Sequence, residues 1–217
     1  CARVLCRLRR AGSVRGCRRR LGVCGLTRVL YDAAVEAIDT ANTADPTRVV
    51  VRGAEQPLAL AHGRIAAEWV VLLSPGVDDA VRLAARAHHL CRWELPRSDY
   101  AAGRAGYLQW KRDQRRRHAD DLASIMRTVG YDEPTVTAAQ AAVLRQGDGG
   151  QLVEDAACLV FIETQLAAVA GQLDRDHLVE VIRKTAKKMS GSALAAVSTI
   201  PLGEVEHGLL AEALGTG

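Results

Sequence analysis

From Leu26 onward, apolar side chains return at three- and four-residue steps, the spacing that lays them along one face of a helix. Val29, Leu30, Ala33, Ala37 and Ile38 form the first such stripe, over residues 26–41. Asp45-Pro46 and Gly53 interrupt the pattern, and Val49 to Val51 is long enough only for a brief extended piece. The helical period resumes over 58–73 and stops at Ser74-Pro75-Gly76. Asp78 or Asp79 caps the next helix, which runs through Ala80, Leu83, Ala84 and Ala87 to about Arg92, and Pro96 then forces a loop. Further helices are predicted over 106–128, 133–144, 152–169, 176–188, 193–200 and 204–214, with Gln146-Gly147-Asp148-Gly149-Gly150 as a loop. No stretch alternates with period two for long enough to build a sheet, and no repeat of 20–50 residues suggests a solenoid. The expected fold is all-α, with one helical domain.

Composition supports that expectation. Apolar residues at 48% and charged residues at 25% allow a substantial core. Aromatics at 4% leave it to be built of Ala, Leu and Val, which suits close helix packing. No apolar run approaches the roughly 18 residues of a membrane span, so no membrane role is expected.

The net charge of +4 is unevenly spread. Eight of the 29 basic residues, all Arg, lie within residues 1–24, where there is no acid. The other 21 face all 25 acidic residues, so a tail of +8 precedes a body of −4. Cys1, Cys6, Cys17 and Cys24 lie in that tail without the close Cys-x-x-Cys spacing of structural zinc sites. No apolar stretch of a secretory signal follows the arginines. The chain also lacks an initial Met. Residues 1–25 are therefore expected to be a disordered or misassigned extension, and 26–217 the folded domain. Only Cys91 and Cys158 fall in the body, which implies no disulfide framework and points to a reducing cytoplasm.

Chemistry concentrates in the histidines. His62, the pair His88-His89 and His118 fall on successive predicted helices, and Glu154-Asp155 opens the apolar helix that follows. A carboxylate there also serves the helix dipole, but adjacent histidines point about 100° apart and cannot share one solvated face. Imidazoles and carboxylates from several helices, without thiolate, describe a catalytic or substrate metal site better than a structural one.

The stretch Ala85-Arg86-Ala87-His88-His89-Leu90-Cys91-Arg92-Trp93-Glu94-Leu95-Pro96-Arg97, followed by Arg104-Ala105-Gly106-Tyr107-Leu108-Gln109-Trp110, resembles the bacterial and fungal family called domain of unknown function 4202. Val129-Gly130-Tyr131-Asp132, Glu154 to Phe161 and Arg183 to Ser190 agree with it, so the resemblance runs from near Tyr31 through almost all the rest. The loop at Gln146 to Gly150 is several residues shorter than in that family. The family's layout is in turn similar to the HD superfamily of metal-dependent phosphohydrolases, all-helical enzymes with ligands in the order His, His-Asp, Asp. That resemblance implies metal ligands at His62, His88, His89 and Asp155, with His118 as the extra histidine of two-metal members. His89 stands where the superfamily has Asp. Exchanging an anionic oxygen for a neutral nitrogen disfavours Mg²⁺ and favours a divalent transition metal, Zn²⁺, Fe²⁺, Co²⁺ or Mn²⁺.

The activity implied is a metal-dependent phosphohydrolase acting on a small phosphorylated metabolite or nucleotide. The metal would activate water, Glu154 would orient that water as the base, and Arg92, Arg97, Lys184 and Lys188 would neutralise phosphate. Lys184 with Lys188, and Arg183 with Lys187, lie four residues apart on one helical face. The His-for-Asp exchange motivates an alternative, a non-catalytic HD-like module binding a nucleotide or a partner. A third reading, an RNA-associated protein, rests on Lys111, Arg112 and Arg115 to Arg117 beside Trp110. Asp113, Asp120 and Asp121 dilute that run and the body is acidic, which argues against nucleic acid.

Overall fold

Among residues 23–172 and 174–215, which the structure, a computed structural model, describes, ten α-helices surround a core of Ala, Leu, Ile and Val. The expected extension over 1–25 falls outside these residues, save that the first helix opens at Val23. The helices are α1 (Val23–Asn42), α2 (Leu58–Leu73), α3 (Asp79–Arg86), α4 (Gly103–Val129), α5 (Glu133–Val143), α6 (Gly147–Thr164), α7 (Leu166–Ala170), α8 (Arg175–Ala186), α9 (Gly191–Ala196) and α10 (Glu204–Leu214). Single 3₁₀ turns occupy Arg92–Glu94, Arg97–Asp99 and Val197–Thr199.

The all-α expectation holds, with local corrections, among them a break at Gln165 that divides the helix expected over 152–169 into α6 and α7. Residues 48–57 form a hairpin, β1 (Arg48–Val51) antiparallel to β2 (Ala54–Pro57), with Val49 opposite Gln56. Its two-residue turn places Arg52 and Gly53 both at positive φ, the geometry that matches strand twist. Only β1 is β-branched and β2 is polar, so the alternation in the sequence is too weak to announce a pair. The expected loop at Gln146 to Gly150 is helical from Gly147, an early start permitted by Gly147 at φ +63. The third helix ends at Arg86 instead of near Arg92, and residues 87–91 turn out of it, finishing with Cys91 at φ 50.

Helix α2 packs between α3 and α6, while α5 lies across α3, α4 and α6. Gly63 permits the α2–α3 approach, because a Cβ there would overlap the Arg86 carbonyl oxygen. Arg86 makes a two-point ion pair with Asp39, at 2.7 and 2.8 Å, and ties α3 to α1. Buried Asp45 stands in for an N-cap on α2, accepting from the free backbone N–H of Ala59 at 2.8 Å and from Thr47 at 2.9 Å. Buried Asn42 donates to the Ala59 carbonyl at 3.4 Å and accepts from the Cys91 N–H at 3.0 Å. These two side chains at the end of α1 thus hold the start of α2 against the turn that carries His88 and His89. No helix among the described residues is long and apolar enough to cross a membrane.

Candidate functional site

The four histidines named from the sequence come together. His62 Nδ1 lies 3.3 Å from His89 Nδ1, and ring centroids are separated by 5.5 Å for His62–His89, 4.1 Å for His88–His89 and 6.5 Å for His89–His118. His62, His88 and His118 are buried, and His89 keeps partial exposure. Together they line a cleft of about 330 Å³ between α2, α4, α6 and the Arg92–Glu94 turn.

Each ring is held in a different way. His88 Nδ1 donates to the Ala85 carbonyl at 2.8 Å. His62 Nε2 meets Thr164 Oγ1 at 3.2 Å and the Gln165 amide at 3.3 Å, where α6 ends. Both ring nitrogens of His118 are buried without a hydrogen bond of ordinary geometry, and Gln114 Oε1, one helical turn away on α4, is buried and unpartnered as well. Unsatisfied polar atoms of this kind are uncommon and costly in a folded protein.

The potential at the histidines is positive. Burial and then the Arg92 guanidinium push His62 down to about 4. Burial and then Arg92 push His118 down to about 3; the Leu90 carbonyl opposes them by more than either Arg117 or Arg145 adds. His88 and His89 fall well below the usual imidazole range for the same first reason, with Arg145 next for His88 and its neighbour His88 next for His89. All four rings are neutral at pH 7. The walls supply Arg92, Lys111, Arg115, Arg145 and Lys188 against one lining carboxylate, Glu154.

Glu154 is fully engaged by these cations. Arg145 reaches it at 2.6 Å, Arg115 at 3.3 Å and Lys188 at 3.9 Å. Burial raises its pKa, but Arg145, Arg115 and Lys188 outweigh that and hold the carboxyl below its usual range. A carboxylate so stabilised is a poor proton acceptor. Arg92 and Lys111 differ: among the described residues no carboxylate is within ion-pair distance of either, and they lie against aromatic faces. The Arg92 guanidinium carbon is 4.7 Å from the Trp110 ring centroid and Lys111 Nζ is 5.5 Å from that of Tyr107. Gln114 Nε2 donates to the Arg92 and Leu95 carbonyls at 2.9 Å each, and Trp110 Nε1 to Leu95 at 2.9 Å, so α4 fixes the turn that presents Arg92.

The remaining residues singled out in the sequence lie elsewhere. Asp155, adjacent to Glu154, points away from the cleft: its Oδ1 accepts from Gln151 and from the Ser190 N–H at 2.9 Å each, and its Oδ2 from Ser190 Oγ at 2.6 Å. It anchors the start of α9. Arg97 folds onto its own loop, donating to the carbonyls of Tyr100, Ala101 and Gly103. Lys184 is exposed and pairs with Glu180 at 3.2 Å. Lys111 and Arg115, read from the sequence as part of a surface basic run, belong to the cleft. Arg145 carried no signal in the sequence; it enters because, two residues past the end of α5 at Val143, it takes φ +66, which turns the chain back toward α6.

The expected metal set does not fit. Two ligands bonded at about 2.0–2.1 Å to one ion lie roughly 3.3 Å apart, which the His62–His89 pair would satisfy. Asp155, however, is occupied by Gln151 and Ser190, and Glu154 is neutralised by cations. Among the described residues no three His, Cys, Asp or Glu groups are placed to share an ion. Neutral imidazoles surrounded by guanidinium and ammonium groups disfavour a dication and suit an anion. Cys158 also lines the cleft, but burial pushes its thiol up to about 11, so it is no nucleophile at neutral pH.

The chain matches the family described as Domain of unknown function (DUF4202) over residues 32–210, and it belongs to that family. No curated protein and no solved structure matches it.

Proposed function

We propose that the cleft binds a small phosphorylated metabolite or nucleotide, with Arg92 and Lys111 receiving the phosphoryl group. The observation that carries this reading is the absence of a carboxylate partner for these two cations among the described residues, while Arg115, Arg145 and Lys188 in the same wall share Glu154. A guanidinium removed from bulk water without a counter-ion is costly, and an incoming phosphate supplies what is missing. The neutral His118 and Gln114 add buried polar groups with unfilled hydrogen-bonding capacity on the same cleft.

In this reading the helical layout is HD-like, with His62, His88-His89 and His118 in its histidine places and Asp155 diverted to holding α9. That favours the binding module over the metal-dependent phosphohydrolase of the sequence analysis. Calorimetric titration of the wild type and of Arg92→Ala and Lys111→Ala, with orthophosphate, a sugar phosphate and nucleotides, tests it. Wild-type binding weakened at least about tenfold by either substitution is the expected result. No binding of any phosphorylated compound at low ionic strength would overturn it. Turnover of a phosphate ester that requires Mn²⁺, Co²⁺ or Zn²⁺ would restore the hydrolase.

A further inference from the structure

A second hollow, of about 460 Å³, opens beside the cleft and shares with it Lys111, Arg115, Arg145, Glu154 and Lys188. Its own walls are Lys187 from the end of α8 and Gly147, Gly150 and Gln151 from the first turn of α6. That helix begins at Gln146 with no side-chain cap, so its first N–H groups point outward unclaimed by one. Five cations again face one carboxylate, Glu154, which stands at the boundary between the hollows and is covered by Arg145 and Arg115. The two hollows also differ in a useful way: Arg92 lines only the inner one and Lys187 only the outer one.

We infer that the ligand of this cleft carries two phosphoryl groups, as a diphosphate or an organic bisphosphate, one seated at Arg92 and Lys111 and the other at Lys187, Lys188 and the start of α6. The inference rests on the reading of the cleft as a phosphate site and extends it by one feature. A monophosphate leaves the outer excess of positive charge unanswered: Lys187 makes no ion pair among the described residues, and Lys188 makes only the long 3.9 Å contact to Glu154. Charge repulsion already acts along this row, since burial first, and then Lys188 and Arg115, lower the Lys111 pKa. A second phosphoryl group spanning the shared wall relieves that repulsion. Glu154 opposes any anion near it, and its three cations offset that opposition.

Titration calorimetry with orthophosphate and pyrophosphate on the full chain tests this. Pyrophosphate should bind at least about tenfold tighter than orthophosphate. Lys187→Ala, an exposed position where folding is not at stake, should remove most of that advantage and leave orthophosphate affinity within about twofold; Arg92→Ala should weaken both. Orthophosphate bound as tightly as pyrophosphate, or a pyrophosphate advantage indifferent to Lys187→Ala, would overturn the two-group inference and leave the phosphate site standing. Failure of both anions to bind would remove the phosphate site itself, and with it the two-group inference.

Discussion

His62 on α2 and His89 in the turn after α3 face each other through their Nδ1 atoms at 3.3 Å. Both rings are neutral, so one Nδ1 must donate and the other accept. Thr164 decides which. Its hydroxyl hydrogen is directed to the Val160 carbonyl at 2.7 Å, which leaves its oxygen to accept from His62 Nε2–H at 3.2 Å. His62 Nδ1 then accepts from His89 Nδ1–H, which leaves His89 with a bare Nε2, and this assignment requires the Gln165 amide, whose Nε2 lies 3.3 Å from His62 Nε2, to be flipped so that its oxygen accepts there. Nitrogen chemical shifts should report the Nε2–H form for His62 and the Nδ1–H form for His89; the reverse pair would refute the chain.

His118 should be replaceable without loss of stability. Both of its nitrogens are buried without a hydrogen bond of ordinary geometry, and the Leu90 carbonyl compensates only in part, so the native protein bears most of their desolvation cost. His118→Leu is expected to change urea-unfolding stability by no more than about 1 kcal/mol, or to raise it, while phosphate binding declines. A loss of about 3 kcal/mol or more would show that the ring is satisfied in solution.

Asp155 should behave in the opposite way. It is 1% exposed and accepts three hydrogen bonds, two of them from Ser190. Asp155→Ala strands the Ser190 N–H and hydroxyl and should cost roughly 2–4 kcal/mol. Chelator treatment of the wild type should leave its melting temperature unchanged. A chelator effect that matches the mutational one would instead make Asp155 a metal ligand.

Glu154→Gln should separate two measurements. Loss of the one carboxylate lining the cleft raises the positive potential there, so phosphate affinity should increase by about two- to fivefold. The same change deprives the half-buried Arg145 of its carboxylate partner and should destabilise the fold by about 2–3 kcal/mol. A catalytic base at this position would be revealed by loss of turnover with binding intact.

Acid should unfold this protein through its histidines. The unfolded rings titrate near their ordinary value of 6.5, whereas His62 titrates at about 4 and His118 at about 3 in the fold. Between those values the unfolded state binds protons that the native state refuses. Stability is thus complete above pH 6.5 and falls as pH drops toward 4, by up to about 1.4 kcal/mol per pH unit for each ring. Phosphate should protect over the same window, since an anion favours the charged ring. A melting temperature flat from pH 7 to 4.5 would contradict the burial of these side chains.

Much of this was legible in the chain. The limits of α2 and α10 agree with the three- and four-residue spacing of their apolar positions, and Asp78, one of the two caps expected for α3, does cap it. The family and the four converging histidines were legible as well. The hairpin at 48–57 was not, because its stability comes from the positive-φ turn at Arg52-Gly53 and from docking on α2, not from strand propensity.

The sequence by itself determined the helices and the kinds of side chain available to a site. Only the tertiary structure decided which of them face it. Glu154 and Asp155 are consecutive, yet successive helical residues point about 100° apart, and the packing of α6 against α2 and α5 turned Glu154 into the cleft and Asp155 onto Ser190. Lys184 and Lys188, four residues apart, would share a face of one continuous helix, but α8 ends at Ala186, so Lys188 leaves the helical path and lines the cleft while Lys184 stays on α8 and pairs with Glu180. Arg145 arrives only because the chain reverses there with a positive φ. The phase of each helix is set by its neighbours, so a ligand set read along one chain became, in three dimensions, a cleft lined by four histidines and five cations, with Glu154 inside it and Asp155 outside.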